Sequence, residues 1–211
     1  MSTLKVDTIL KRSGTGTITL GQSGDTLSIP SGATIANSGT ATGFAPVGIS
    51  SSMSSGTGLS IDANGHVLKP LQPGVVWKPT NNSGSILADT THTIGSGNST
   101  EIIDRNGDFS GNTFTAPVTG LYFLSMSLLV NSYDHDNNYS AAFIVTSNRY
   151  YYLHQMAGNA LSTDGSVAMA GGFVADMDAG DTAVWQFRND QGTQQPVINQ
   201  ERTILGAFLL G

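Results

Sequence analysis

The chain has 211 residues, 38% of them apolar and only 11% charged, with a net charge of −6 and no cysteine. So much apolar content with so little charge excludes a disordered chain, and the absence of cysteine excludes disulfides and thiolate metal sites. The nine Lys and Arg residues are scattered along the length, which leaves no basic stripe to displace counterions from nucleic-acid phosphates.

Length alone allows one ordinary domain with an extension, or two small ones. Lys5, Lys11 and Arg12 stand near the start, but no apolar core of signal-peptide length follows them. No run approaches the roughly 20 apolar residues of a membrane span. The expectation is a soluble chain made in a cytosol, with no membrane insertion and no nucleic-acid partner. Gly, Ser, Thr and Asn between short Thr/Ile/Val/Tyr segments point to an all-β protein.

Residues 1–43 hold short β-like pieces (LKVDTIL, TITL, TLSIP, ATI) separated by Gly-Ser-Asp turns. That spacing is too tight for the strands of a sandwich and suits the rungs of an intertwined β-rich stem. A flexible Gly/Ser/Thr leader is the competing interpretation. Residues 44–73 form a connector. Within it SSSMSSGTG should be mobile or extended, and LSIDANGHVLKP should fold as a small hairpin turning at Asn64-Gly65. Pro70 and Pro73 close it, since neither can donate to a ladder.

From 74 to 211 the pattern is that of an antiparallel sandwich. Candidate strands are VVWKP, ILA, THTIG, STEIIDR, NTFTAP, LYFLSMSLLV, YSAAFIVTS, RYYYLHQM, GSVAMAGGFVADM, TAVWQFRN and TILGAFLLG. Asp104-Arg-Asn106-Gly107-Asp108 starts like a calcium loop but lacks the distal Glu, and is expected to be an Asn-Gly hairpin turn.

The strand over 121–130 breaks the rule of one apolar and one wet face. Tyr122, Leu124, Met126, Leu128 and Val130 form one face; Leu121, Phe123 and Leu129 form the other. The last strand repeats this, with Ile204, Phe208 and Leu210 opposite Leu205, Ala207 and Leu209. A sandwich buries one face of each strand in its own core. The other face leaves an apolar patch that a soluble monomer rarely tolerates, so a second molecule must cover it. Leu121, Tyr122, Phe123, Leu124, Met126, Leu128, Ile204, Phe208 and Leu210 are the expected core and subunit interface.

The polar segments offer weaker signals. His66, His92, His135 and His154 show no metal-protease spacing, and no Gly-x-Ser-x-Gly elbow occurs, so no enzyme is expected. The loop 131–138 is rich in side-chain oxygens. Asp134 and Asp136 are its candidate Ca²⁺ ligands, although a solvated hairpin tip explains the same residues. A carboxylate pair there could in principle cleave a glycan, but any loop with several Asp residues satisfies that test. Alternation sends Tyr151 opposite Tyr150 and Tyr152, placing an aromatic ring near solvent on one face. The loops 131–139, 157–166 and 188–200 should cluster at sandwich ends, where binding usually resides. Tyr133, His135, Asn137, Tyr151 and Gln194 are the candidate receptor contacts, with Gln191, Gln194 and Gln195 supplying uncharged amides suited to polysaccharide hydroxyls.

The segment Phe114-Thr-Ala-Pro117-Val-Thr-Gly120-Leu-Tyr122 resembles the signature of the complement one-q globular head family, a branch of the tumour-necrosis-factor-like jelly rolls. Asp178-Ala-Gly180-Asp181-Thr-Ala-Val184-Trp185 is similar to that family's late turn and strand, and Leu205-Gly206-Ala-Phe208-Leu209-Leu210 to its closing strand. Leu124 and Met126 depart from the family's usual aromatics, and its cysteine is missing. The resemblance covers about 74–211. It implies an antiparallel jelly-roll head whose apolar faces are covered by two further copies about a threefold axis; some such heads bind Ca²⁺ near that axis. STLKVDTI and TITLGQSGDTLSIPSGATI resemble the opening of short tail-fibre-like proteins of bacterial viruses, especially those of cyanobacteria. Gly65-His66-Val67-Leu-Lys-Pro70-Leu-Gln72-Pro73 matches their joint. This resemblance implies a homotrimeric virion protein, joined to other virion proteins through its N-terminus and exposed on the particle, with a head that binds a host-surface glycan or protein. A capsid decoration, head-fibre or neck protein is the alternative.

Overall fold

The alternation that begins at residue 74 produces strands in two facing antiparallel sheets. The computed structural model describes residues 66–190 and 192–210, together with Ser60, Ile61, Asn64 and ten separate positions between Ile9 and Ser31. The chain divides into two compact units, Met1–Ser52 and Met53–Gly211. Apart from those ten positions, the expected rungs of 1–43 lie outside the described residues, as do the stretch 50–58 and Gln191. In the first unit the Gln22 amide donates to Asp25 Oδ2 at 2.7 Å, and the Asp25 amide donates back to the Gln22 carbonyl at 3.0 Å.

Among the described residues the second unit contains strands and no helix. In chain order they are β1 (Ser60–Ile61), β2 (Val67–Leu68), β3 (Gly74–Pro79), β4 (Thr90–Thr93), β5 (Ser99–Arg105), β6 (Phe109–Ser110), β7 (Thr113–Thr115) and β8 (Gly120–Tyr133). There follow β9 (Tyr139–Thr146), β10 (Tyr150–Ala157), β11 (Gly165–Met177), β12 (Thr182–Asp190), β13 (Val197–Ile198) and β14 (Ile204–Leu209). The connector hairpin forms as expected, with Ser60 opposite Leu68 and Ile61 opposite Val67.

The first sheet runs β11-β8-β14-β3-β5, with β13 also pairing β8. The second runs β10-β9-β12-β7-β6, with β4 also pairing β12. Strands β3, β7, β8, β9, β10, β11, β12 and β14 pass between the sheets so that first pairs with last and inner with inner, the jelly-roll arrangement. The all-β jelly-roll head expected from sequence is what the chain forms.

The core lies between the sheets. Trp77 of β3 and Trp185 of β12 meet edge to face at 5.6 Å, and Phe109 packs on Trp77 at 4.8 Å. Such aromatic pairs add about 0.5–1.5 kcal/mol beyond the area they bury. Trp185 Nε1 donates to the Ser125 carbonyl at 2.8 Å, and Tyr122 Oη donates to the Val118 carbonyl at 2.7 Å. Both polar tips are thereby satisfied inside an apolar layer.

Three sequence expectations are corrected. Ile86-Leu87-Ala88 forms no strand: Ile86 is buried and tied by its amide to the Pro196 carbonyl, while Leu87 faces solvent. Asn106-Gly107 does turn with positive φ at both residues (83° and 72°), but it is a corner between sheets and not a hairpin. Its flanks β5 and β6 pair with β3 and β7 respectively, and Asp104 pins the corner by accepting the Asp108 and Phe109 amides. The true two-residue hairpin is the next turn, where Gly111 and Asn112 (φ 58° and 80°) join Ser110 to its partner Thr113. The third correction is β13, which lies in a region expected to be loop and pairs Ile198 with Val130.

Candidate functional site

The register of the first sheet separates the two faces of β8. Tyr122, Leu124, Met126 and Leu128 are buried in the chain's own core, whereas Leu121 is 51% exposed and Phe123 39%. On β14 and just beyond it, Leu205 and Ala207 are buried while Ile204, Phe208 and Leu210 stand outward. Phe208 lies opposite Phe123, Phe123 opposite Val174 of β11, and Phe208 also opposite Gly74 of β3. The next row across the same face is Gly206, Ser125 and Gly172. Small residues here let the two phenyl rings lie down on the sheet. A Cβ added at Gly74 would stand 2.9 Å from Phe208 Cδ1, and one at Gly172 would stand 2.6 Å from Phe123 Cζ. The result is a flat apolar face across the middle of the sheet. At its border Arg105 stands opposite Gly74, and Asp176, opposite Leu121, accepts from Arg149 at 3.0 Å.

The far end of β8 builds a second feature. Between Val130 and Tyr133 the pairing with β11 slips, and Ser132 takes a positive φ of 53°. This bulge re-aims Tyr133 into the core, where its hydroxyl donates to Asn137 Oδ1 at 3.3 Å. Asn137 is buried as well, and its amide nitrogen donates to Ser140 Oγ at 2.7 Å. Tyr133 and Asn137, expected at a receptor surface, therefore hold the loop from inside. Tyr151 turns inward opposite Ile144 and packs on Phe173 at 5.5 Å; the rings facing solvent are Tyr150 and Tyr152. Gln194 is exposed, and its backbone amide donates to Asp134 Oδ2 at 2.7 Å.

Three loops meet at this end, as expected from sequence. Asp134 is buried; its Oδ2 also accepts the Thr193 amide, and its Oδ1 accepts the Asp136 amide at 2.9 Å. Burial alone would raise the Asp134 pKa, but these backbone donors outweigh it and lower the value. His135 Nδ1 lies 2.8 Å from Asp164 Oδ1, and Nε2 lies 3.1 Å from Asp136 Oδ1. The hydrogen bond to Asp164 chiefly raises the His135 pKa, and the same bond lowers that of Asp164. Gly158 closes the junction: a Cβ there would collide with the Asn137 carbonyl.

Asp134, His135 and Asp164 bring one ligand atom each within 4.8 Å of one another. The expected Ca²⁺ pair, Asp134 and Asp136, is engaged differently. Asp134 gives its oxygens to amides, and Asp136 faces an imidazole. A hard cation would compete with a proton on His135 and with three backbone donors for the same oxygens.

No family model and no curated protein matches the chain. Solved structures do. The globular domain of zebrafish complement 1qA protein aligns at 17% identity over 66% of this chain and 98% of its own, with TM-score 0.47. Murine APRIL at pH 5.0 aligns at 14% identity over 66% and 99%, with TM-score 0.48. The Eiger TNF of S. frugiperda aligns at 13% over 66% and 93%, with TM-score 0.44.

Sequence reasoning missed Asp164 as the partner of His135, because 29 residues separate them and no local pattern links them. It also missed that Tyr150 and Tyr152, rather than Tyr151, meet solvent. The outward Val145 and Phe143 of the neighbouring strand, paired with Tyr150 and Tyr152, were the available signal.

Proposed function

We propose that this chain is a homotrimeric adhesive protein of a bacterial-virus particle, attached through its N-terminal residues and binding a host-surface receptor with its head. The observation that carries the assembly is the uncovered apolar face built by Leu121, Phe123, Phe208 and Leu210. A soluble chain covers such a face by association, and a closed cyclic arrangement covers it on every copy without leaving an open end. Obligate interfaces of this type bury on the order of 2,000–5,000 Å². The viral origin rests on the stem-like opening and the proline joint of the sequence. Three identical heads on one particle would let weak single contacts hold it by avidity. The role is binding and not catalysis.

Sedimentation of the full chain at submicromolar and micromolar concentration tests the assembly; a trimer is expected, and a folded monomer overturns it. Electron microscopy of virus particles carrying a labelled copy tests the location. Label at adsorption fibres supports the adhesive role, and label confined to the capsid shell replaces it with a decorating one.

A further inference from the structure

The outer face of the second sheet carries a feature separate from the apolar face of the first sheet. Phe143 on β9 is buried, yet its side chain points away from the core between the sheets. What covers it is Tyr152, stacked at 5.1 Å with an interplanar angle of 23°, and Tyr150 at 6.1 Å. Both tyrosines are more than half exposed, Tyr150 at 63% and Tyr152 at 51%. Two rings supported from below by a third form a firm aromatic step at the sheet edge. Register places Tyr152, Phe143, Gln186 and Thr93 in one row across four strands. Gln186 Nε2 donates to Thr93 Oγ1 at 3.2 Å, which holds an amide and a hydroxyl beside the aromatic step. Further along, Arg188 is already engaged, donating to Asp190 at 2.8 Å and to Tyr139 Oη at 2.9 Å.

We propose that this face, centred on Tyr150, Phe143 and Tyr152 with Gln186 beside them, binds an uncharged, hydroxyl-rich polysaccharide. The inference deepens the receptor-binding role and rests on it. Aromatic faces take the C–H faces of a sugar ring, and tyrosine offers large rigid contact area at low entropic cost with a polar tip that tolerates water. The Gln186 amide supplies both a donor and an acceptor for hydroxyls. Charge selects the class of ligand. Arg188, two positions beyond Gln186 on β12, is paired with Asp190, and the chain carries −6 overall. An anionic polymer therefore finds no counter-charge here and meets long-range repulsion.

The test uses the full chain and saturation-transfer NMR with maltohexaose, laminarihexaose and mannohexaose, and hexagalacturonate as the anionic control. At least one neutral hexasaccharide should bind while the anionic one does not. Tyr150→Ala with Tyr152→Ala should weaken that binding at least about tenfold, Gln186→Ala should weaken it less, and Tyr150→Phe with Tyr152→Phe should largely keep it. No response from any neutral hexasaccharide, or an unchanged one in the double alanine variant, overturns the proposal. Sedimentation should be unchanged by the alanine pair; a loss of assembly assigns the face to a second copy and also overturns it. Adsorption to bacterial cells, measured in parallel, separates the two claims. Adsorption that survives the alanine pair keeps the adhesive role and removes this site. Tyrosine-dependent sugar binding without adsorption keeps the site and removes the role.

Discussion

The ring of Phe123 lies flat over Gly172 of the neighbouring strand, so close that a Cβ on Gly172 would meet its Cζ at 2.6 Å and the Leu124 carbonyl at 3.0 Å. Phe208 lies the same way over Gly74, and the two phenylalanines are directly opposed across β8 and β14. Side chains that merely decorated a solvated sheet would have no reason to lie against glycines. A face that must meet another flat surface does. Replacing both rings by carboxylates, Phe123→Asp with Phe208→Asp, should abolish association at micromolar concentration and leave the fold intact. Each ring is about two-fifths exposed, so the pair should cost the separate head no more than a few kcal/mol. Sedimentation with far-ultraviolet circular dichroism checks this; a double variant that still assembles would show that the face is not the contact.

The two-faced character of β8 and β14 was legible because period-two alternation needs only the order of residues: it set Tyr122, Leu124, Met126 and Leu128 on one face and Leu121 and Phe123 on the other, while which face turns into the core is given by the packing of the two sheets. The loop end was less legible. Tyr133 follows Val130 by three positions, and alternation alone would send it outward; the bulge at Asn131 and Ser132 inverts it. Nothing in NSYDHDNN announces that inversion. The Asn106-Gly107 turn shows a related limit: the dipeptide reports the positive φ it takes, but not whether the next strand returns to the same sheet.

Gly95 sits at φ 72° against the Trp77 indole, where a Cβ would collide with ring carbon Cζ3. Gly95→Ala is penalised twice. The left-handed backbone costs an L-residue about 1–2 kcal/mol, and overpacking against a fixed ring adds about 1–3 kcal/mol. Because Trp77 is wedged between Phe109 and Trp185, it has no room to yield. Urea denaturation of the full chain followed by tryptophan fluorescence should show a total loss of about 2–5 kcal/mol; a loss below about 1 kcal/mol would mean that the ring moves.

His135 faces a carboxylate from each ring nitrogen, Asp164 at 2.8 Å and Asp136 at 3.1 Å. A neutral imidazole donates from only one nitrogen, so both contacts are served only by the imidazolium. Its folded pKa is raised above the ordinary 6.5. The stabilisation is therefore complete below 6.5 and is lost as pH rises through the folded value. Asp164 is shifted the other way, below its ordinary 3.8, so its contribution holds above 3.8 and disappears as pH falls through the lowered value. The loop junction should be tightest between these limits. Titration of the His135 ring by NMR should give a midpoint above 6.5 that drops in Asp164→Asn. The protection factor of the Asn159 amide, which donates to the His135 carbonyl, should fall on the alkaline side once the intrinsic base-catalysed exchange rate is divided out.

Asp134 accepts backbone amides from two separate segments, Asp136 on its own loop and Thr193 and Gln194 on another. If the carboxylate were kept for a metal ion, chelation would loosen the junction. If it serves the amides, removing divalent ions changes nothing and changing its acceptors changes a great deal. Asp134→Asn keeps the size but replaces one acceptor oxygen by a donor, which must then face an N–H. A buried donor left unsatisfied costs about 1–3 kcal/mol, and the lowered Asp134 pKa adds a charge-assisted part that the amide cannot supply. The variant should thus lose about 2–4 kcal/mol in urea denaturation at neutral pH. The gap from wild type should narrow in acid as Asp134 protonates, because a depressed carboxyl contributes only above its folded pKa. Chelator should leave the wild-type midpoint unchanged. A chelator-induced fall in that midpoint, restored by Ca²⁺, would return the site to metal binding.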